Sequence, residues 1–278
     1  MKRLLQIEFI KLWNSRASKI LIIAYFAILS LISILASIKF DIGEIHFRLA
    51  DQGIFNFPYI WHLNTWIAGF LKIFFAIVIV SMMSNEYTNK TLKQNLIDGL
   101  SKKEFVLSKF YMVLIFSLVS TIFICILTLV LGLIFSDFNT PLVILKDTDY
   151  LLAYFVKLLG FFSICLFLGM LVRKSAFALG FLFIWYILEW IGYSALNHYF
   201  PDNSNIPDKI FNFFPINSLA NLVKEPVTRF NPVKTASNLI GETIVKDYLT
   251  HWYEYAIALA WTFIFIFFTH IILKKRNL

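Results

Sequence analysis

Ile20 to Ile38 is a run of 19 residues without a charge, held between Lys19 and Lys39, and Phe110 to Ser136 is a second such run of 27. No other feature constrains the fold as strongly. A helix rises about 1.5 Å per residue, so about 20 apolar residues cross about 30 Å of hydrocarbon. Inside that layer every backbone N–H and C=O must be bonded within the segment, which a helix does and an open strand does not. Four more stretches read the same way: Thr65–Ser84 interrupted only by Lys72, Leu151–Val172 holding Lys157, Ser175–Asn197 holding Glu189, and Tyr255–Leu273 carrying only His270. The expectation is an all-α polytopic membrane protein, one domain over 1–278, with spans at about 20–38, 65–84, 110–136, 151–172, 175–197 and 255–273. Composition agrees, with 59% hydrophobic and 15% charged residues and a mean hydropathy of +0.73. Such a chain is solvated largely by lipid. No cleavable small-residue site follows the first run, so that span is expected to stay attached.

The formal charge of +8 would suggest nucleic acid on a soluble protein, but here it is explained by membrane orientation, and no nucleic-acid partner is expected. Of 25 Lys and Arg residues, 15 fall before the first span, between spans two and three, between four and five, or after the sixth. The positive-inside rule then puts both termini in the cytoplasm. All seven prolines fall on the opposite side, as uninterrupted spans and cytoplasmic helices require. The sequon at Asn89 would lie in the cytoplasm and stay unmodified. Cys125 and Cys165 sit in apolar runs with no ligand-spaced neighbour, so they read as inert thiols and no metal site is expected.

Ahead of the first span, Leu5, Phe9, Leu12 and Trp13 share one helical face, which predicts an interfacial helix over 2–16. Between spans two and three, residues 85–109 read NEYTNKTLKQNLIDGLSKKEFVLSK, too polar for lipid and too regular for a loose connector. Two short helices are predicted. The first runs from Glu86 to Asp98 and stops at Gly99, a residue suited to left-handed backbone. The second opens at Ser101, which with Glu104 has the spacing of a capping box.

The run Glu86, Thr91, Leu92, Gly99, Leu100, Ser101, Glu104, Phe105, Ser108 and Lys109 resembles the signature of type-2 ABC exporter permeases. Glu8-Phe9-Ile10-Lys11-Leu12-Trp13 is similar to that family's entry helix. Lys90 and Leu100 stand where the family often has Gly and Pro. The resemblance implies that 86–109 is a coupling element, with Glu86, Asn89, Thr91, Leu92, Gln94, Gly99, Ser101, Glu104 and Lys109 transmitting motion from a separate cytoplasmic ABC ATPase. It also implies a second permease half, identical or different, in the lipid of a bacterial cytoplasmic membrane. The chain has no G-x-x-x-x-G-K-[ST] run, so ATP and Mg belong to the partner; no cofactor, catalytic residue or enzyme activity is expected of this chain itself.

Lys72, Lys157 and Glu189 lie toward the outer ends of their spans. They read either as side chains snorkelling to the interface, with Glu189 doing likewise or pairing with a lysine, or as parts of a substrate route or gate. The outer loop 198–250 holds five prolines, an aromatic run at Ile210–Phe214 suited to a short re-entrant or interfacial helix, and five positive charges matched by five negative: Lys209, Lys224, Arg229, Lys234 and Lys246 against Asp202, Asp208, Glu225, Glu242 and Asp247. The functional expectation is export of a hydrophobic or amphipathic compound such as a peptide antibiotic, lipid or drug-like molecule. Two alternatives stand beside it: an ion-gradient-driven transporter, which would be expected to show broken spans, and a non-transporting scaffold that docks an ATPase. A membrane enzyme is disfavoured, because His46, His62, His198, His251 and His270 form no H-x-x-x-H or H-E-x-x-H array.

Overall fold

The computed structural model describes residues 2–42, 45–48, 50–200, 206–230, 233, 235 and 246–276. Six helices are long and apolar enough to cross a membrane. The chain begins with α1 (Lys2–Asn14) and turns at Ser15, whose hydroxyl accepts from the Ser18 amide to open α2 (Arg16–Ser37). A short hairpin follows, β1 (Lys39–Ile42) antiparallel to β2 (Ile45–Arg48) with Lys39 opposite Arg48. It is the one strand pair among the described residues of an otherwise helical fold. Then come α3 (Tyr59–Thr88), α4 (Thr91–Ile97), α5 (Lys102–Phe135), α6 (Pro141–Leu145), α7 (Asp149–Val172) and α8 (Ser175–Tyr199). Two short helices, α9 (Ile206–Phe211) and α10 (Pro215–Asn221), precede the last span, α11 (Trp252–Lys275).

The helices run past the apolar stretches that announce them. α3 has 30 residues and α5 has 34, where hydropathy alone delimits 65–84 and 110–136. Lipid contact sets the length of an apolar run, but a helix continues until a residue stops it. Here the stops are Lys90 in left-handed backbone, the Ser101 cap and the extended Ser136. Prolines stand at the entrances, with Pro58 ahead of α3 and Pro141 and Pro215 opening α6 and α10. At the first helical position the missing amide hydrogen costs no ladder bond.

α7 is the axis of the bundle. It is buried along most of its length between α3, α5, α8 and α11, which explains a sequence apolar on every face. Glycines let its neighbours close in: a β-carbon at Gly169 would lie 2.9 Å from Met83 Cβ, and one at Gly160 would lie 2.4 Å from Leu219 Cδ2 on α10. α2 meets the axis through a buried Tyr25–Tyr154 hydroxyl contact of 2.6 Å. α8 and α11 instead turn Phe177, Phe181, Phe183, Phe263 and Phe267 outward, as lipid-facing helices do.

At the end of the bundle away from the termini, side chains stitch spans to connecting segments. Trp61 Nε1 donates to the Ile144 carbonyl at 2.8 Å, Tyr150 donates to the Tyr248 carbonyl at 2.8 Å, and His62 Nε2 lies 2.9 Å from the Lys224 carbonyl. Three salt bridges join in: Arg229 with Asp147, Lys224 with Glu254 and Lys246 with Glu225. Asp202, Lys234 and Glu242, counted above among the loop charges, lie outside the described residues. Gly160 offers a direct test of this packing. Gly160→Val should destabilise the purified protein by about 1–3 kcal/mol through overpacking against Leu219, read as a lowered Tm. Gly180→Val, where a β-carbon meets nothing within 4 Å, should leave Tm nearly unchanged; equal effects would refute the close seat of α10.

Candidate functional site

At the end that carries both termini, four elements bring charged side chains to one buried point. α1 supplies Glu8 and Lys11 one turn apart, the last turn of α3 supplies Glu86, α4 opens with Thr91, and α5 supplies Lys109. Lys109 Nζ donates to Glu8 Oε2 at 2.5 Å and to Glu86 Oε1 at 2.6 Å. Lys11 Nζ donates to the same Glu86 oxygen at 2.8 Å and lies 3.5 Å from Glu8 Oε1. The other Glu86 oxygen accepts from Thr91 Oγ1 at 2.5 Å. Lys109 is fully buried and Glu86 is 2% exposed. Two carboxylates and two ammonium groups leave no net charge, so removal from water is compensated within the cluster. Burial tends to lower the Lys11 pKa, but its bond to Glu86 and the attraction of both carboxylates prevail and hold it above the ordinary value. Lys11 therefore stays cationic at physiological pH.

The segment between α3 and α5 differs from the sequence expectation of one helix from Glu86 to Asp98. Glu86 belongs to the end of α3. The chain breaks at Lys90, φ +56°, and only Thr91–Ile97 forms the separate helix α4. The physical reason is Glu86 itself: its bonds to Lys109 and Lys11 fix the last turn of α3, and its bond to Thr91 fixes where α4 restarts. Leu92, 1% exposed, pins α4 to the bundle. Gly99, at φ +95°, makes the turn that other residues adopt at a cost. Ser101 and Glu104 form the anticipated capping box, with the Glu104 amide donating to Ser101 Oγ at 3.2 Å and the Ser101 amide donating to Glu104 Oε2 at 3.0 Å.

Of the residues singled out in the sequence, Glu86, Thr91 and Lys109 thus meet, and Leu92 anchors beside them. Asn89 lines a cleft of about 300 Å³ next to the cluster. Gln94, Gly99, Ser101 and Glu104 lie outside it. Sequence reasoning missed the bonding role of Glu8 and Lys11, whose signal was an opposite-charge pair at i, i+3 on an apolar helix. It also missed Ile97. That side chain is 75% exposed, beside exposed Lys93, Gln94 and Asp98, an apolar residue at the tip of a polar turn. The expected stripe of α1 divides too: Leu12 is buried and Leu5 partly so, whereas Phe9 and Trp13 stack on each other facing outward. Glu8 rather than an aromatic ring completes the inward face.

The end of α11 closes the same end of the bundle. Arg276 donates from Nη1 to Tyr87 Oη at 2.7 Å and to the Met170 carbonyl at 2.6 Å, and from Nη2 to the Leu171 carbonyl at 2.8 Å. Lys102 Nζ reaches back to the Lys274 and Arg276 carbonyls. The orphan carbonyls ending α7 and α11 are thereby satisfied by cations from other elements.

The intramembrane charges depart from simple snorkelling. The Glu189 carboxylate accepts from the amides of Ile216 at 2.9 Å and Asn217 at 3.0 Å, the first turn of α10, and from Trp185 Nε1 at 2.9 Å. Lys157 Nζ donates to the carbonyls of Ala220 at 3.3 Å and Val223 at 3.4 Å, at and just beyond the other end of α10. Both side chains are buried. An anion at the amide end of a helix and a cation at its carbonyl end both interact favourably with the backbone dipoles, so α10 is bolted between α7 and α8 at both ends. The predicted aromatic helix does not form as one piece: Phe211 closes α9, Phe213 and Phe214 fall in the turn, and the helix held by Glu189 and Lys157 is the next one, α10. Lys72 alone fits the looser description: it is half-buried, with its ammonium 4.2 Å from the Phe161 ring centroid.

A family model described as ABC-2 family transporter protein matches residues 4–189. That span contains every member of the buried ion cluster together with Lys72, Lys157 and Glu189. No curated protein matches the chain.

Two outcomes check this geometry. Lys109→Met, which leaves two buried carboxylates facing Lys11 alone, should cost about 3–5 kcal/mol, and adding Glu8→Gln and Glu86→Gln should recover much of the lost Tm. Failure of the triple variant to recover would mean the cluster is not balanced as described. Glu189→Leu should free α10, so that a thiol placed by Ser218→Cys, protected while α10 is seated, reacts with a water-soluble maleimide; continued protection would show that α10 does not depend on Glu189.

Proposed function

Because the chain belongs to the ABC-2 transporter family, as a membrane component with an ABC ATPase partner, we propose that it is the permease half of an exporter driven by ATP hydrolysis in that partner. The observation that carries the proposal is α4: seven residues set between two helices of 30 and 34 residues, bonded through Thr91 to Glu86 of α3, which Lys109 of α5 holds in turn. A helix held this firmly cannot tilt alone. A push on it moves α3 and α5 as rods, which is how ATPase closure would become movement of spans without chemistry in the membrane chain. The face offered to the ATPase is Lys93, Gln94, Ile97 and Asp98, with Ile97 the residue for an apolar pocket. ATP and Mg are held by the partner.

The same reading orients the molecule. The distribution of Lys and Arg supports a cytoplasmic position for the terminus-bearing end, in a bacterial cytoplasmic membrane. A second permease half, of this or another chain, faces it, and the cargo is hydrophobic or amphipathic. Ion-driven transport has less support, since α3, α5, α7 and α11 are unbroken helices, whereas such transporters bind at broken spans. A scaffold that docks an ATPase without moving cargo would share the α4 contact but show no cargo-dependent hydrolysis.

Ile97→Glu is the test, because an exposed side chain contributes little to folding. Capture of the ATPase should weaken by about tenfold or more, as for an anchor residue, with Tm unchanged. Undiminished capture with normal hydrolysis would remove α4 as the docking helix.

A further inference from the structure

Lys72 and Lys157 lie at nearly the same height. Lys72 is 16 residues before the end of α3 and Lys157 is 15 before the end of α7, about 24 and 22 Å from the terminus-bearing end at 1.5 Å per residue. Both line one cleft of about 590 Å³ between α3, α7, α8 and the segment that follows α10, a size that fits a small ligand. Gly69 adjoins Lys157, where a β-carbon would meet Nζ at 3.6 Å, an ordinary contact distance.

Charges at the rim are already matched. Lys224 lies 3.1 Å from Glu254 and donates to the Leu249 carbonyl at 2.9 Å. Glu225 accepts from Thr228 and Lys246. The two lysines at the base are different, because neither has a carboxylate partner among the described residues. An ammonium has three donors; among the described residues Lys157 uses two on carbonyls, and Lys72 meets the Phe161 ring without a hydrogen bond. Two cations at membrane depth without a counter-charge are costly. The mouth is bordered by Phe70, Ile73 and Tyr186, all exposed on spanning helices, so an occupant reaches it from the bilayer with an apolar portion still in contact with them.

We propose that this cleft binds an anionic phospholipid from the leaflet at the loop end, its phosphate oxygens on the Lys72 and Lys157 ammonium groups and its acyl chain along Phe70 and Ile73. The cations supply the headgroup's counter-charge, and the phosphate fills the donors left open. Lipid is favoured over a free anion because the entrance is apolar, and over a second protein copy because the complement sought is a charge at the base of a narrow cleft.

The full-length chain, purified without any ATPase, is exposed to phosphatidylglycerol or phosphatidylcholine and retained lipid is counted by native mass spectrometry. Phosphatidylglycerol should be retained on the order of tenfold better. Lys72→Met should remove that preference without lowering Tm, since Lys72 donates no hydrogen bond among the described residues, and Lys72→Arg should keep it. Equal retention of the two lipids, a preference untouched by Lys72→Met, or displacement by inorganic phosphate alone would overturn the assignment. Since no nucleotide is present, the result stands apart from whether the chain exports.

Discussion

A charge taken out of water must be met inside the protein, and this constraint organises the molecule more than any apolar contact. Lipid gives the helices no reason to prefer one another over the bilayer, so polar contacts and close small-residue packing decide the arrangement. At one end the solution is a four-charge cluster with Lys109 at its centre. In the half away from the termini it is a short helix used as a dipole, with Glu189 at its amides and Lys157 at its carbonyls. These contacts tie α1 to α3 and α5, and α7 to α8, pairs that apolar packing alone leaves free to slide.

The two solutions differ mechanically. The cluster joins whole side-chain charges of α1, α3 and α5 at 2.5–2.8 Å, and α4 is tied to it through Thr91. The α10 arrangement uses amides and carbonyls at up to 3.4 Å and joins a seven-residue helix to α7 and α8.

Sequence reading recovered what is local or imposed by the bilayer. Six spans were legible because hydrocarbon demands long uncharged runs. Gly99 and the Ser101–Glu104 cap were legible because left-handed backbone and a three-residue spacing are local properties. The burial of Glu8 was not, since its partner Lys109 stands 101 residues away. Nor was the fate of Lys157, whose partners are backbone carbonyls 63 and 66 residues on and therefore invisible in side-chain chemistry. The end of α3 was misplaced for the same reason: Glu86 reads as the start of a separate short helix until Lys109 is known to meet it at the end of α3.

Arg276 gives the bundle an order of assembly. Its partners Tyr87 and Met170 precede it by 189 and 106 residues, so a nascent chain carries these groups through the translocon long before their clamp is synthesised. Until then the last carbonyls of α7 must be served by water or by the insertion machinery. The Arg276 clamp therefore closes only when translation has passed the sixth helix, whereas the Glu8–Glu86–Lys109 cluster at the same end has all its members within the first 109 residues.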